Sequence, residues 1–181
     1  MRALVVYESM YGNTRAVAKA IAEGLRESCD VDVVAVDGAT PALVAAADLL
    51  VVGGPTHMHG LARASSRRMA AQASQRPGGP VLDPDAGGIG LREWLDTLTG
   101  GGRTAAAVFD TRFGGLSLLT GRAGLGIARA LRRRGFGLVT APKSFIVDKQ
   151  NHVLPGEIEH ATQWGRHIAP ALQQRAGGTA R

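Results

Sequence analysis

Apolar residues along the chain fall into two alternating rhythms. Residues 2–7 read Arg-Ala-Leu-Val-Val-Tyr, a run without polar alternation, which is how a strand covered on both faces is written. Residues 31–36 and 48–54 repeat the pattern, and the latter is the most apolar stretch of the chain. Between the first two runs, Val17, Ile21 and Leu25 recur every four residues, the spacing of a helix with one buried stripe. Further helices are expected over 41–47, 61–75 and 91–98, and a fourth strand over 104–109. Residues 122–134 read as a helix with Leu125, Ala128, Leu131 and Ile127 inward, ended by Gly135. Residues 137–147 give a fifth strand, bent or broken at Pro142, and 155–174 a closing helix. The Pro/Gly-rich connection 76–88 reads as mobile or inserted. Strands separated by helices require right-handed crossovers. The expected class is therefore α/β, a five-stranded parallel sheet with helices on both faces.

Composition narrows this picture. A chain of 181 residues suits one domain, expected over 1–175 with a flexible 176–181 tail, and buries roughly 70% of its unfolded surface. An apolar share of 45% against 20% charged residues excludes a disordered chain. The lone Cys29 excludes an internal disulfide framework, fits a reducing compartment, and is expected to be packed rather than reactive. No segment is long and apolar enough to span a membrane, and the first apolar run is too short for a signal peptide, so a cytoplasmic location is expected. Charge is uneven: residues 1–60 hold 4 basic and 7 acidic side chains, residues 61–181 hold 17 and 8. Such asymmetry marks contact with nucleic acid, anionic lipid or an acidic partner, or simply a solvated arginine-rich face. Arg132, Arg133 and Arg134 point in different directions around a helix, and no aromatic interleaves them, which favours a solvated or docking face over nucleic acid.

Three loops of unusual composition fall where strands end: 8–14, 54–60 and 110–117. A doubly wound sheet takes its ligand at such ends, where the winding reverses. In the first loop, Ser9, Met10, Tyr11, Gly12, Asn13 and Thr14 lead into a helix whose free amides carry partial positive charge. A phosphate there gains amide and hydroxyl donors without a lysine; the plain alternative is a strand-to-helix turn capped by Ser and Asn. In the second loop, Pro55, Thr56, His57, Met58, His59 and Gly60 offer two imidazoles. These suit packing on a ligand face better than metal binding, because no Cys or carboxylate lies nearby. In the third, Asp110, Thr111, Arg112, Phe113 and Gly114 supply one aromatic and one cation.

The run YESMYGNTRAVAKAIAEGL resembles the first βα unit of the flavodoxin-like family, whose phosphate loop follows Thr/Ser-x-Thr/Ser-Gly-x-Thr. Ser9, Gly12 and Thr14 match; Tyr11 departs, and the Ser-Met-Tyr-Gly run is similar to that of flavodoxin-like NAD(P)H:quinone oxidoreductases. VVGGPTHMHG resembles the second flavin loop, and AAVFDTRFGG stands where the third belongs. The resemblance implies a flavodoxin-like, doubly wound five-stranded parallel sheet in the order 2-1-3-4-5, and noncovalent FMN held by the residues named above. Phe113 would cover the ring, Arg112 would sit at its pyrimidine side and raise its potential, and Asp110 would accept from ribityl or order the loop. The second loop lacks the family's usual aromatic, so weaker flavin binding is implied.

The implied work is electron transfer with a redox partner protein or a small acceptor, with no nucleic acid, no membrane span and no side-chain catalyst. The alternatives are an NAD(P)H:quinone oxidoreductase, a protoporphyrinogen-oxidase-like flavoenzyme, or a flavin-free binding module. The family is generally acidic, so this basic chain is expected to meet an acidic partner, or none. A phosphoacceptor receiver is excluded because Tyr7-Glu8 and Gly53-Gly54 occupy its acidic positions. No Walker Gly-Lys-Ser/Thr follows the first strand, and the glycines of 121–126 open a late helix, not the first.

Overall fold

The computed structural model describes residues 1–57, 60–115 and 121–178. In chain order the elements are β1 (Arg2–Tyr7), α1 (Asn13–Arg26), β2 (Asp30–Ala35), α2 (Pro41–Ala46), β3 (Leu49–His57), β4 (Gly60–Leu61) and α3 (Ala64–Ser74). Then follow α4 (Leu91–Thr97), β5 (Ala105–Phe113), α5 (Ala123–Arg133), β6 (Gly137–Leu138), β7 (Lys143–Val147) and α6 (Glu157–Gly178). The parallel sheet runs β2-β1-β3-β5, and both β6 and β7 pair with the far side of β5. The last two are halves of one fifth strand, interrupted where Pro142 has no amide to give a ladder. The order is thus the expected 2-1-3-4-5, in a doubly wound α/β fold.

Alternate residues of each central strand face opposite sides of the sheet, and a separate apolar layer forms on each. Leu4, Val6, Leu50, Val52 and Val108 pack with Trp94, Leu95, Ile127 and Leu131 of α4 and α5. Val5, Val51, Phe109 and Phe145 pack with Val17, Ile21, Leu25 and Ile168 of α1 and α6. This two-sided burial is why the strand segments look uniformly apolar. In α5 the buried stripe is Ala123, Gly124, Ile127, Ala128 and Leu131. Leu125 lies off that stripe and is 50% exposed, contrary to the expectation that it faces inward.

Two other expectations shift. β3 does not stop at Gly54 but continues through His57 and folds back on β4, with Thr56 opposite Leu61 and His57 opposite Gly60. β5 likewise runs to Phe113, because β7 pairs with residues 109–113. The second and third loops are therefore partly strand, and α3 starts at Ala64 because 60–61 is spent in the hairpin. The last helix reaches Gly178, beyond the expected 174.

The Pro/Gly connection ends in a strap laid over the carboxyl ends of β1 and β2. The Asp83 amide donates to the Met10 carbonyl (2.8 Å), and the Tyr7 hydroxyl donates to Asp85 (2.7 Å). The Ile89 amide donates to Asp37 (2.6 Å) and the Leu91 amide to Glu8 (3.0 Å). Local composition suggested mobility; the polar groups that bind the strap lie 52 to 83 residues away for the last two bonds. Among the described residues, no helix is long and apolar enough to cross a membrane.

Candidate functional site

β1, β3 and β5 end side by side, with Tyr7 opposite Gly53 and Pro55 opposite Thr111. The winding reverses at β1, and above these ends lies a cleft of about 360 Å³, within the size range of small-molecule sites. All three predicted segments reach it. Ser9, Met10, Tyr11, Asn13 and Thr14 form one wall, Pro55, Thr56 and His57 a second, and Thr111, Arg112 and Phe113 a third. Gly12, Gly60, Asp110 and Gly114 are near it without lining it, and Met58 and His59 lie outside the described residues.

The first wall is a tight turn forced by Gly12, whose φ of 91° is open to glycine and strained for other residues. Its amide donates to the Ser9 hydroxyl (3.0 Å). The Thr14 and Thr111 hydroxyls share a buried hydrogen bond (2.8 Å) that ties the first segment to the third. The Asn13 side chain donates to the Asn151 carbonyl (2.9 Å), and the Tyr11 hydroxyl donates to the Ala70 carbonyl (3.1 Å). The turn is thereby braced before any ligand arrives. α1 begins here with no acidic residue in its first turn, and its leading amides have no intrahelical acceptor. The outcome is a pre-formed donor site with positive dipole character.

Asp110 plays another part. Its carboxylate is buried and accepts from the Gly124 amide (2.7 Å), fastening the start of α5 to β5. Burial raises its pKa above the ordinary carboxylate value. The Arg112 guanidinium folds onto its own loop, donating to the carbonyls of Phe113 (3.1 Å) and Gly115 (3.3 Å). Phe113 stands at the mouth, 49% exposed. Burial, with help from the Arg67 charge, pushes the His57 pKa below its ordinary value, so the imidazole is neutral at pH 7.

Sequence reasoning missed several contributors. Ser66, Met69 and Ala70 of α3, together with Val147 and Asn151, complete the lining. It also missed Glu8, which is 6% exposed and meets Arg67 at 3.2 Å. Burial raises the Glu8 pKa despite that guanidinium. An acidic residue directly after a buried strand was the available signal, since it has no route to solvent. Among the described residues, no three His, Cys, Asp or Glu side chains converge as metal ligands.

A doubly wound parallel sheet with a braced glycine turn and a bare helix N-terminus at its switch point defines the class of α/β proteins that take ligands at their strands' carboxyl ends. Within that class the fold is that of flavodoxins: solved flavodoxins share it over nearly the whole length, and the flavodoxin family model matches residues 5–82. Flavodoxin 1 from Bacillus cereus aligns with a TM-score of 0.64 at 19% identity, covering 94% of this chain and 98% of that one. A flavodoxin, WrbA-like protein from Agrobacterium tumefaciens aligns with a TM-score of 0.59 at 20% identity, covering 96% and 98%. Rubredoxin oxygen:oxidoreductase from Desulfovibrio gigas aligns with a TM-score of 0.64 at 18% identity over 97% of this chain and 37% of that larger one. No curated protein sequence matches the chain significantly.

Proposed function

We propose that the cleft holds FMN noncovalently and that the protein carries electrons through it. The observation that bears most weight is the convergence of the three segments, joined by the Thr14–Thr111 bond, around the amide-rich start of α1. The donor set fits the group. The opening amides of α1 would hold the phosphate, and the buried hydroxyls beside it are those of Ser9, which accepts from the Gly12 amide, and Thr14, which bonds Thr111. Thr56, neutral His57 and Thr111 offer polar contacts farther along, while Met69 and Phe113 supply apolar cover at the mouth. When bound, the flavin supplies the electron chemistry; the chain binds it, orients it and shields one side from water. A half-buried Cys29, whose thiol donates to the Leu25 carbonyl (3.3 Å) and whose pKa is pushed up by burial, suits a reducing cytoplasm.

Titration of the flavin-free protein with FMN, followed by absorbance and by quenching of flavin fluorescence, tests the proposal. Ser9→Ala with Thr14→Val should weaken binding by about 1–3 kcal/mol, since hydrogen bonds to a charged group are lost. Phe113→Ala should reduce the quenching. No association of FMN with the folded protein, or an unchanged affinity in the double variant, overturns the assignment. Bleaching by NADH or NADPH alone, with turnover on a quinone, would turn the carrier into an enzyme.

A further inference from the structure

Beyond the cleft, the described surface bears one concentrated cationic feature. A depression of about 290 Å³ lies between α4, β4 and α5, with Leu61 and Leu95 in its floor and Arg92, Arg129, Arg133 and Arg134 around it. Its single carboxylate, Asp96, is already bound by Arg134 (2.8 Å). Arg92 donates to the carbonyls of Leu61 (3.1 Å) and Ala62 (3.3 Å), which holds its guanidinium in place while leaving its charge unneutralised. Arg129 and Arg133 are exposed, one helical turn apart on the same face of α5, and have no acidic partner among the described residues.

We propose that this face docks an acidic protein surface beside the cleft. The inference rests on the electron-carrier reading above, for which a partner must approach the site. Leu125 precedes Arg129 by four residues, so Leu125, Arg129 and Arg133 form a ridge about 12 Å long at the helical rise. The ridge starts at the cleft: the Ala123 amide, at the head of α5, donates to the hydroxyl of Thr56, a cleft residue (3.0 Å). Leu61, in the floor, pairs with the same Thr56 across the β3–β4 hairpin. An exposed leucine followed by arginines is the composition of a protein interface, where apolar contact supplies affinity and charge supplies steering. A small phosphate ligand needs donors that converge. Here two of the four guanidinia are engaged by protein acceptors and the other two project from an open ridge.

Mitochondrial cytochrome c, which is basic, and its succinylated, acidic form present the same haem with opposite charge. Association of each with the full chain is read by fluorescence anisotropy at low ionic strength, with and without FMN. The acidic form should bind, the basic form should not, and affinity should fall steeply with added salt. Arg129→Glu with Arg133→Glu should weaken the acidic form about tenfold or more, and Arg129→Gln with Arg133→Gln by less. Equal binding of the two forms, or an affinity untouched by either double variant, overturns the proposal. So does binding of inorganic pyrophosphate at these arginines without binding of the acidic protein. Because anisotropy does not require the flavin, failure of FMN to bind would remove the redox reading and leave this result legible. Haem reduction by the flavin-loaded protein, following the same order, would join the two.

Discussion

Thr14 and Thr111 come from segments 97 residues apart, yet their hydroxyls meet at 2.8 Å, and the residues are only 2% and 4% exposed. Replacing Thr14 with Val keeps the shape and removes one hydroxyl, leaving its partner buried without that hydrogen bond. The cost is about 1–3 kcal/mol, because the desolvation of the remaining group is no longer offset. Thr111→Val should cost a similar amount. The double variant removes both polar groups together, so its loss should fall short of the sum of the singles by about 1 kcal/mol or more. Urea unfolding of the flavin-free protein, followed by far-ultraviolet circular dichroism, measures all four corners of this cycle. With a slope of about 1–3 kcal/mol per molar urea, a change of this size is readily resolved in the midpoint. FMN affinity gives an independent readout. Thr111→Val leaves the Thr14 hydroxyl beside the α1 amides and should weaken FMN less than Thr14→Val does. Strictly additive stability losses, or the reverse order of FMN affinities, would refute the bond's role as the brace of the site.

The remaining predictions concern packing and protonation. Gly53 lies against the Phe109 ring, and an added Cβ would fall 2.0 Å from its Cζ atom. Gly53→Ala should therefore cost about 1–3 kcal/mol through overpacking and lower the melting temperature by about 3 °C or more in a thermal scan. His57 has a lowered pKa in the folded chain, so the unfolded chain takes up the proton first as pH falls. Its contribution to stability is present above the ordinary value near 6.5 and lost below it. Unfolding free energies at pH 7.5 and 5.5 should differ less in His57→Gln than in the parent; an identical pH dependence would contradict the burial argument. Arg67→Met strands the Glu8 carboxylate in the interior, at a cost of about 3 kcal/mol near neutral pH. The raised pKa of Glu8 means that acid neutralises it, so the deficit should shrink toward pH 5; a deficit that grows in acid would exclude this cause.

Local order alone carried much of the architecture. Uninterrupted apolar runs separated by helical spacing identify a parallel sheet covered on both faces, because each strand must satisfy two apolar layers at once. Gly12 bracketed by Ser9 and Thr14, just ahead of Val17, Ile21 and Leu25, marks a strand-to-helix turn with free amides. Both are readable because the residues that create them are adjacent in the chain. What depends on distant partners stayed hidden. β5 reaches Phe113 because β7 is there to pair with it, and Pro55 to His57 are strand because Gly60 and Leu61 fold back onto them. Leu125 faces outward because the neighbouring elements receive the Ile127 and Leu131 side of α5. The strap, the Glu8–Arg67 pair and the Thr14–Thr111 bond join groups between 52 and 97 residues apart in the chain. Hydrogen bonds and charge pairs act within a few ångströms of space, and only the closed fold determines which remote polar groups come that near.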